Sequence, residues 1–376
     1  MGKYSIKGSD AFDARLDKEF SRIANALVES RYAPAFRALV LIGGYGRGEG
    51  TPLVVDGMQV PFNDYDLVVI SKPMGHREKV AVQADLRRLE AQLSGELKLP
   101  VDLCLYPENV LRQAEFSLLN YEMRYGHRVV WGEQDIVSLM PEYPHGAVPL
   151  SEGTRLLLNR GKLLLDIRRA LRTGAEFTPD ERIRYIKFMF KTLLAFGDCT
   201  LLVRREYDLL YAVKKERILR AMQDDMPDPA FMVEGFRRAV AFKEWGDFRP
   251  LENEAWRDEF ERIRAYYVRF FEWYEGRRLG ARVSKVDDYR RALAASGREC
   301  GRSKAALLNL SLFRGEVLNN GIAFLGVHPR ARLYLALPLL LGDDCPASEL
   351  RRILAAPACS REAIETRFYQ LQKRLS

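Results

Sequence analysis

Residues 38–70 read ALVLIGGYGRGEGTPLVVDGMQVPFNDYDLVVI. The opening run, Ala38 to Ile42, has the length and apolar content of a buried strand. It runs into Gly43-Gly44, with further glycines at 46, 48 and 50. Glycines so spaced let the backbone approach a ligand closely and turn its N–H groups toward an anion. A helix beginning near Gly44 would add its dipole to that attraction. The spacing is not G-x-G-x-x-G, because Glu49 and Thr51 interrupt it, and no lysine follows Gly48 as a P-loop requires. Taken alone, the segment reads equally well as a flexible loop.

The second apolar run, Tyr65 to Ile70, is introduced by Asn63-Asp64-Tyr65-Asp66. Residues two apart on a strand share a face, so Asp64 and Asp66 present their carboxylates side by side. Like charges held that close are costly unless a cation bridges them. The plainer alternative is an Asp-rich turn whose side chains cap local N–H groups. A third carboxylate, Asp102, interrupts the apolar strand Val101-Asp102-Leu103-Cys104-Leu105, with Val101, Leu103 and Leu105 on the opposite face. Lone buried aspartates are rare, and the alternative here is a charge at a sheet end, exposed or paired with a base. If the two strands are neighbours, three carboxylates converge on the glycine turn. An all-oxygen set suits Mg²⁺ or Mn²⁺ and not zinc.

A strand, a Gly-Gly turn, Asp-x-Asp on the next strand and a third Asp on a later one resembles the nucleotidyltransferases of the DNA polymerase β superfamily. The likeness is greatest to small bacterial members, whose loop reads Gly-Ser-x-Ala-Arg-Gly and leads to Ser-Asp-x-Asp-Leu. Gly43, Arg47 and Gly48 match the loop, and Asp64, Asp66 and Leu67 match the second half. Gly44 departs from it by replacing the serine, and the segment between the motifs is longer. The resemblance covers about residues 36 to 132. It implies an α+β fold: a small mixed-sheet, palm-like nucleotidyltransferase domain followed by an all-α domain. It further implies that Asp64 and Asp66 hold two Mg²⁺ ions, that Asp102 ligands the second and accepts the acceptor's hydroxyl proton, and that the amides of Gly43 and Gly44 hold the triphosphate of a nucleotide substrate. Arg47 either neutralises charge there or is a solvent-facing arginine that pairs with Glu49.

Outside this core, 376 residues exceed one average domain. Hydrophobic residues at 47% and charged residues at 29% exclude a disordered or fibrous chain. The formal charge of +8 favours an anionic partner. The basic residues fall in scattered dyads, however, so nucleic acid is only weakly supported. Five dispersed cysteines lack C-x-x-C spacing and read as buried free thiols in a reducing compartment. The N-terminus has no signal-peptide pattern, and the longest apolar run, Leu333 to Leu341, is too short to span a bilayer. The expectation is a cytoplasmic protein with no membrane partner.

Apolar periodicity predicts a first helix over 10–30, a hairpin over 51–62 turning at Asp56-Gly57, a helix over 76–96, helical structure near 108–120, and a short strand at 128–132. The proline-containing segment 141–149 divides a catalytic domain (1–145) from a helical one (150–376, with a subdivision near 300). In the latter, helices are expected at 151–172, 179–203, 207–222, 228–243, 252–277, 302–317, 330–341, 347–355 and 360–375. Helix 179–203 carries Arg184, Lys187, Lys191 and Asp198 along one side. Lys187 and Lys191 are candidates to reach the triphosphate, as the family's helical domain often provides a lysine; a solvated helix face is the alternative. Asn159, Arg160 and Lys162 are candidates to line the same cleft. The aromatics Tyr266, Tyr267, Phe270, Phe271, Trp273 and Tyr274 read as core packing rather than a base-stacking platform. The expected activity is Mg²⁺-dependent transfer of a nucleoside monophosphate to a small-molecule or protein hydroxyl. A catalytically silent nucleotide-binding regulator or antitoxin-like partner, and an RNA-end nucleotidyltransferase, are the alternatives.

Overall fold

Ala38, Leu39, Val40 and Leu41 are fully buried in strand β1 (Phe36–Leu41), as an apolar run with no polar face must be. The computed structural model describes residues 2–174, 176–221, 225–246, 255–296, 299–313, 324–344 and 346–375. A hairpin of β2 (Pro52–Val55) and β3 (Met58–Pro61) follows β1 and the glycine turn. Its corner residues Asp56 and Gly57 have φ of 50° and 76°, the positive values that a type I′ turn requires. Next come β4 (Tyr65–Ser71), β5 (Val101–Pro107) and β6 (Arg128–Gly132). The main sheet has the order β5-β4-β1-β6; β1 is antiparallel to both of its neighbours, and β4 and β5 are parallel.

Strand alternation sorts the side chains. Leu39, Leu41, Tyr65, Leu67, Val69, Val101, Leu103 and Leu105 form one core with Phe12, Leu16, Phe20 and Ile23 of helix α1 (Asp10–Val28) and with Val82, Leu86 and Leu93 of the helix His76–Leu97. That helix also covers the outer edge of β5. The Leu103 N–H donates to Glu90 Oε1 at 2.6 Å and the Val101 N–H to Ser94 Oγ at 3.0 Å. Edge groups bound in this way are closed to another strand. The parallel register sets Asp66 opposite Asp102, and period two puts both on the face away from this core.

From Leu150 on, the described elements are helical: Leu150–Arg172, Pro179–Arg204, Tyr211–Arg217, Pro229–Trp245, Ala255–Leu279, Val286–Ala295, Arg302–Phe313, Ala331–Leu341, Ala347–Leu354 and Arg361–Leu375. The helix Val286–Ala295 was not expected from the pattern. The one expected over 207–222 is confined to Tyr211–Arg217, because Tyr207 is buried and Asp208 Oδ1 accepts the Leu210 N–H ahead of it. Residues 314–317 of the expected helix 302–317 lie outside the described residues. Tyr266, Tyr267, Phe270, Phe271 and Tyr274 are buried, so they are core. In the same helix Glu275 is fully buried and its carboxylate is used up by Thr154, Arg278 and Tyr289.

The chain divides into two compact units. The first is Met1–Pro149 with Arg205–Arg217 and Arg237–Asp247, and the second is Leu150–Arg204, Ile218–Phe236 and Phe248–Ser376. Two stretches from late in the chain are thus part of the unit that contains the sheet. Among the described residues no helix is long and apolar enough to cross a membrane. The expectation of uniformly buried thiols needs correcting. Cys199 is buried, but Cys104 and Cys359 are exposed, and Cys104 is so because it shares the open face of β5 with Asp102. Cys345 lies outside the described residues.

Candidate active site

The two halves of the motif meet at the end of β1. Asp64 precedes β4, Asp66 lies in it, and Asp102 is the register partner of Asp66 on β5. One carboxylate oxygen from each of the three lies within 4.8 Å of the others. Asp64 and Asp66 are half-buried and Asp102 is exposed, so the trio opens toward solvent on the Asp102 side. Three hard oxygen donors at this separation fit one or more Mg²⁺ or Mn²⁺ ions, and their mutual repulsion favours a cation there.

The glycine turn begins as β1 ends. The Ile42 N–H still donates to the Asp66 carbonyl at 2.9 Å, and the chain then turns at Gly43 with φ of 66°. A Cβ on Gly43 would stand 2.5 Å from Asp66 Oδ2, so glycine is needed here for both conformation and room. The turn's own backbone bonds start with the Gly46 N–H to the Ile42 carbonyl (3.2 Å), followed by Arg47 to Gly43 (3.2 Å) and Glu49 to Gly44 (2.8 Å). The amides of Gly43 and Gly44 stand ahead of that ladder. Beyond it, the Gly50 N–H donates to the Tyr4 carbonyl at 2.8 Å, which ties the turn to the N-terminal segment.

Tyr45, to which the sequence assigned no role, is 2% exposed. Its hydroxyl donates to the Thr51 carbonyl (3.1 Å) and accepts the Phe62 N–H (3.0 Å). It thereby clips together the two ends of the hairpin between the glycine turn and Asp64. Asn63 Nδ2 adds a bond to Thr51 Oγ1 at 2.9 Å. Burial of the Tyr45 ring pushes its hydroxyl pKa well up, so it stays protonated.

Arg47 does face Glu49, but it is buried and not turned to solvent, and its hydrogen bond goes to Glu122. Its side chain is 6% exposed, Nη1 donates to Glu122 at 2.7 Å, and Nε faces Glu49 Oε2 at 3.6 Å. Burial opposes the charge, but Glu122 above all, with the tyrosines 211 and 207 and Glu49, raises the guanidinium pKa. Glu122 in turn is held below the ordinary carboxylate range. Burial works against its ionisation, and Arg47, Lys214 and the Tyr207 hydroxyl overcome that. Arg47 braces the turn from behind.

Lys187 and Lys191 are half-buried on the helix Pro179–Arg204, which belongs to the second compact unit. In that unit Lys162 pairs with Asp166 at 2.8 Å. A different lysine stands at the turn. Lys243, in the part of Pro229–Trp245 that belongs to the first unit, has its Nζ 3.0 Å from where a Cβ on Gly44 would be. Sequence reasoning passed over it because no periodicity distinguishes it from neighbouring surface lysines.

No protein-family model matches this chain, and no curated protein does. A solved structure, spectinomycin adenyltransferase AAD(9) from Enterococcus faecialis with ATP and spectinomycin, is similar over 67% of this chain and 98% of that one, at 10% identity and a TM-score of 0.38.

Proposed function

We propose that the chain is a nucleotidyltransferase of the DNA polymerase β type, moving a nucleoside monophosphate from a nucleoside triphosphate to an acceptor hydroxyl. The observation that supports this reading is the convergence of Asp64, Asp66 and Asp102 to within 4.8 Å beside a turn that needs glycine at 43. Asp64, Asp66 and Asp102 would hold Mg²⁺ or Mn²⁺, which when bound neutralises phosphate charge and sharpens the acceptor oxygen as a nucleophile. The amides of Gly43 and Gly44 and the ammonium of Lys243 bind the β- and γ-phosphates. The acceptor oxygen forms a bond to the α-phosphorus as the bond to pyrophosphate breaks. The hydroxyl proton passes to Asp102, the exposed member of the trio, and from there to solvent.

A small molecule or a protein is the acceptor class this reading favours, as no extended basic run marks a nucleic-acid track. The test is incubation of the whole chain with each α-³²P-labelled nucleoside triphosphate, Mg²⁺ and candidate acceptors, following pyrophosphate and the fate of the label. Release of pyrophosphate that falls roughly a thousandfold in Asp64→Asn and Asp66→Asn supports the reading. Label on a protein identifies that acceptor class. Triphosphate that binds but is never cleaved with any acceptor turns the assignment to a silent regulator.

A further inference from the structure

Glu49 lies in the glycine turn and yet is only 4% exposed, an unusual setting for a carboxylate beside a phosphate-binding loop. Its backbone N–H closes the turn on Gly44. Its Oε1 reaches out of the turn and accepts the Tyr211 N–H at 2.7 Å. Tyr211 opens the helix Tyr211–Arg217, so this N–H is one that the helix cannot satisfy internally. The second oxygen of Glu49 faces Arg47 Nε at 3.6 Å, and neither atom has a hydrogen-bond partner among the described residues. The negative charge that would repel a polyphosphate is therefore turned inward and offset by a guanidinium.

The ring of Tyr211 carries the connection onward. Lys214 Nζ stands 4.3 Å from its centroid on one approach and Lys243 Nζ 5.4 Å on another. Cations at these distances are attracted to the ring face. Lys243 in turn overhangs Gly44. The contacts run Glu49, Tyr211, Lys243, Gly44, starting and ending in the same turn, and all four belong to the first compact unit.

We propose that Glu49 is a positioning residue, which sets Lys243 over the turn by fixing Tyr211, and so couples the polyphosphate grip to a segment far along the chain. The inference rests on the functional reading above and deepens it. Its test is a double-mutant cycle on the whole chain, titrated calorimetrically with inorganic tripolyphosphate in Mg²⁺, with Mn²⁺ uptake measured on the same samples. Lys243→Met is expected to weaken tripolyphosphate by about tenfold, as loss of a charge-assisted bond implies. Glu49→Ala weakens it several-fold, and Glu49→Gln, which keeps an oxygen for the Tyr211 N–H, restores most of the loss. In the Lys243→Met background Glu49→Ala adds less than about twofold, because it acts through the lysine. Mn²⁺ uptake is unchanged throughout. Should Glu49→Ala not fold, Tyr211→Leu takes its place in the cycle, with the same expectation. Losses that multiply, or a Glu49→Ala variant that binds as wild type does, overturn the positioning role alone. A wild-type chain that takes up Mn²⁺ but no tripolyphosphate overturns the functional reading, and this inference with it.

Discussion

The carboxylate of Asp66 occupies the space that a side chain on Gly43 would need, with Oδ2 2.5 Å from the position of that missing Cβ. The turn and the acidic trio are thus fitted to each other at a single contact. A Cβ on Gly44, one residue on, would stand 3.0 Å from Lys243 Nζ and 3.3 Å from the Glu49 carbonyl oxygen, and the backbone there is not in the left-handed region. Alanine at the two positions should therefore act differently. Gly43→Ala is expected to strain the backbone, displace Asp66 and lower Mn²⁺ affinity. Gly44→Ala, meeting the movable end of a lysine most closely and the Glu49 carbonyl less so, should disturb the fold less than Gly43→Ala, keep Mn²⁺ and lose tripolyphosphate affinity by about tenfold. Calorimetric titration of each ligand into both variants checks the split.

Three carboxylates within 4.8 Å repel one another in the metal-free chain. Asp66→Asn should accordingly unfold at or above the wild-type temperature without metal. The wild type alone should then gain from Mn²⁺, by about 2.7 kcal/mol at a hundred times the dissociation constant. Melting curves with and without the ion, on both proteins, give the comparison. A wild-type chain indifferent to Mn²⁺ would remove the metal from the account.

Tyr45→Phe keeps the ring and deletes the hydroxyl that joins the Thr51 carbonyl to the Phe62 N–H. The Phe62 N–H also donates directly to the Thr51 carbonyl at 3.2 Å, so both backbone groups keep a partner and the cost is that of the lost hydrogen bonds alone, about 0.5–1.5 kcal/mol. The hairpin should loosen as well, so hydrogen exchange at 52–62 is expected to quicken while exchange in β1 and β4 holds. Chemical denaturation measures the first effect and exchange mass spectrometry the second.

Glu122 has a folded-state pKa below its ordinary value. Its contribution to stability is then complete above the unfolded carboxylate pKa, near ~4.3, and is lost as pH falls toward the folded value. The wild type should weaken more steeply than Glu122→Gln below about pH 5, in urea midpoints measured from pH 7 downward. Removing the other partner is harsher. Arg47→Met leaves Glu122 with only Lys214 and the Tyr207 hydroxyl against its burial and takes the guanidinium from Glu49, and should cost roughly 3 kcal/mol near neutrality.

How far the sequence discloses this site follows from the physics of each part. Strands β1 and β4 are legible because burial demands continuous apolar runs, β5 because Val101, Leu103 and Leu105 alternate on its buried face, β6 because Val129, Val130 and Trp131 favour a strand, and the hairpin because Asp56-Gly57 tolerates positive φ. The meeting of Asp64, Asp66 and Asp102 is legible once the two aspartate-bearing strands are taken as neighbours. The direction of Arg47 is not, since a basic residue after a turn reads alike whether it faces a ligand or Glu122. Lys243 is less legible still. Its place at Gly44 depends on where the chain returns, and helical periodicity gives no signal for that. The helix Val286–Ala295 escaped for a local reason: its buried positions, Tyr289, Ala292 and Leu293, are too few to set a period over ten residues.

Since Arg205–Arg217 and Arg237–Asp247 belong with the sheet, the first unit is not a contiguous stretch of gene. A fragment ending at Pro149 would carry every aspartate of the trio and lack Tyr207, Tyr211, Lys214 and Lys243. Anyone trimming the chain for crystals or for a screen would be left with an acidic half-site whose buried Arg47 and Glu122 had lost their lining. Fusion partners and cut sites belong elsewhere.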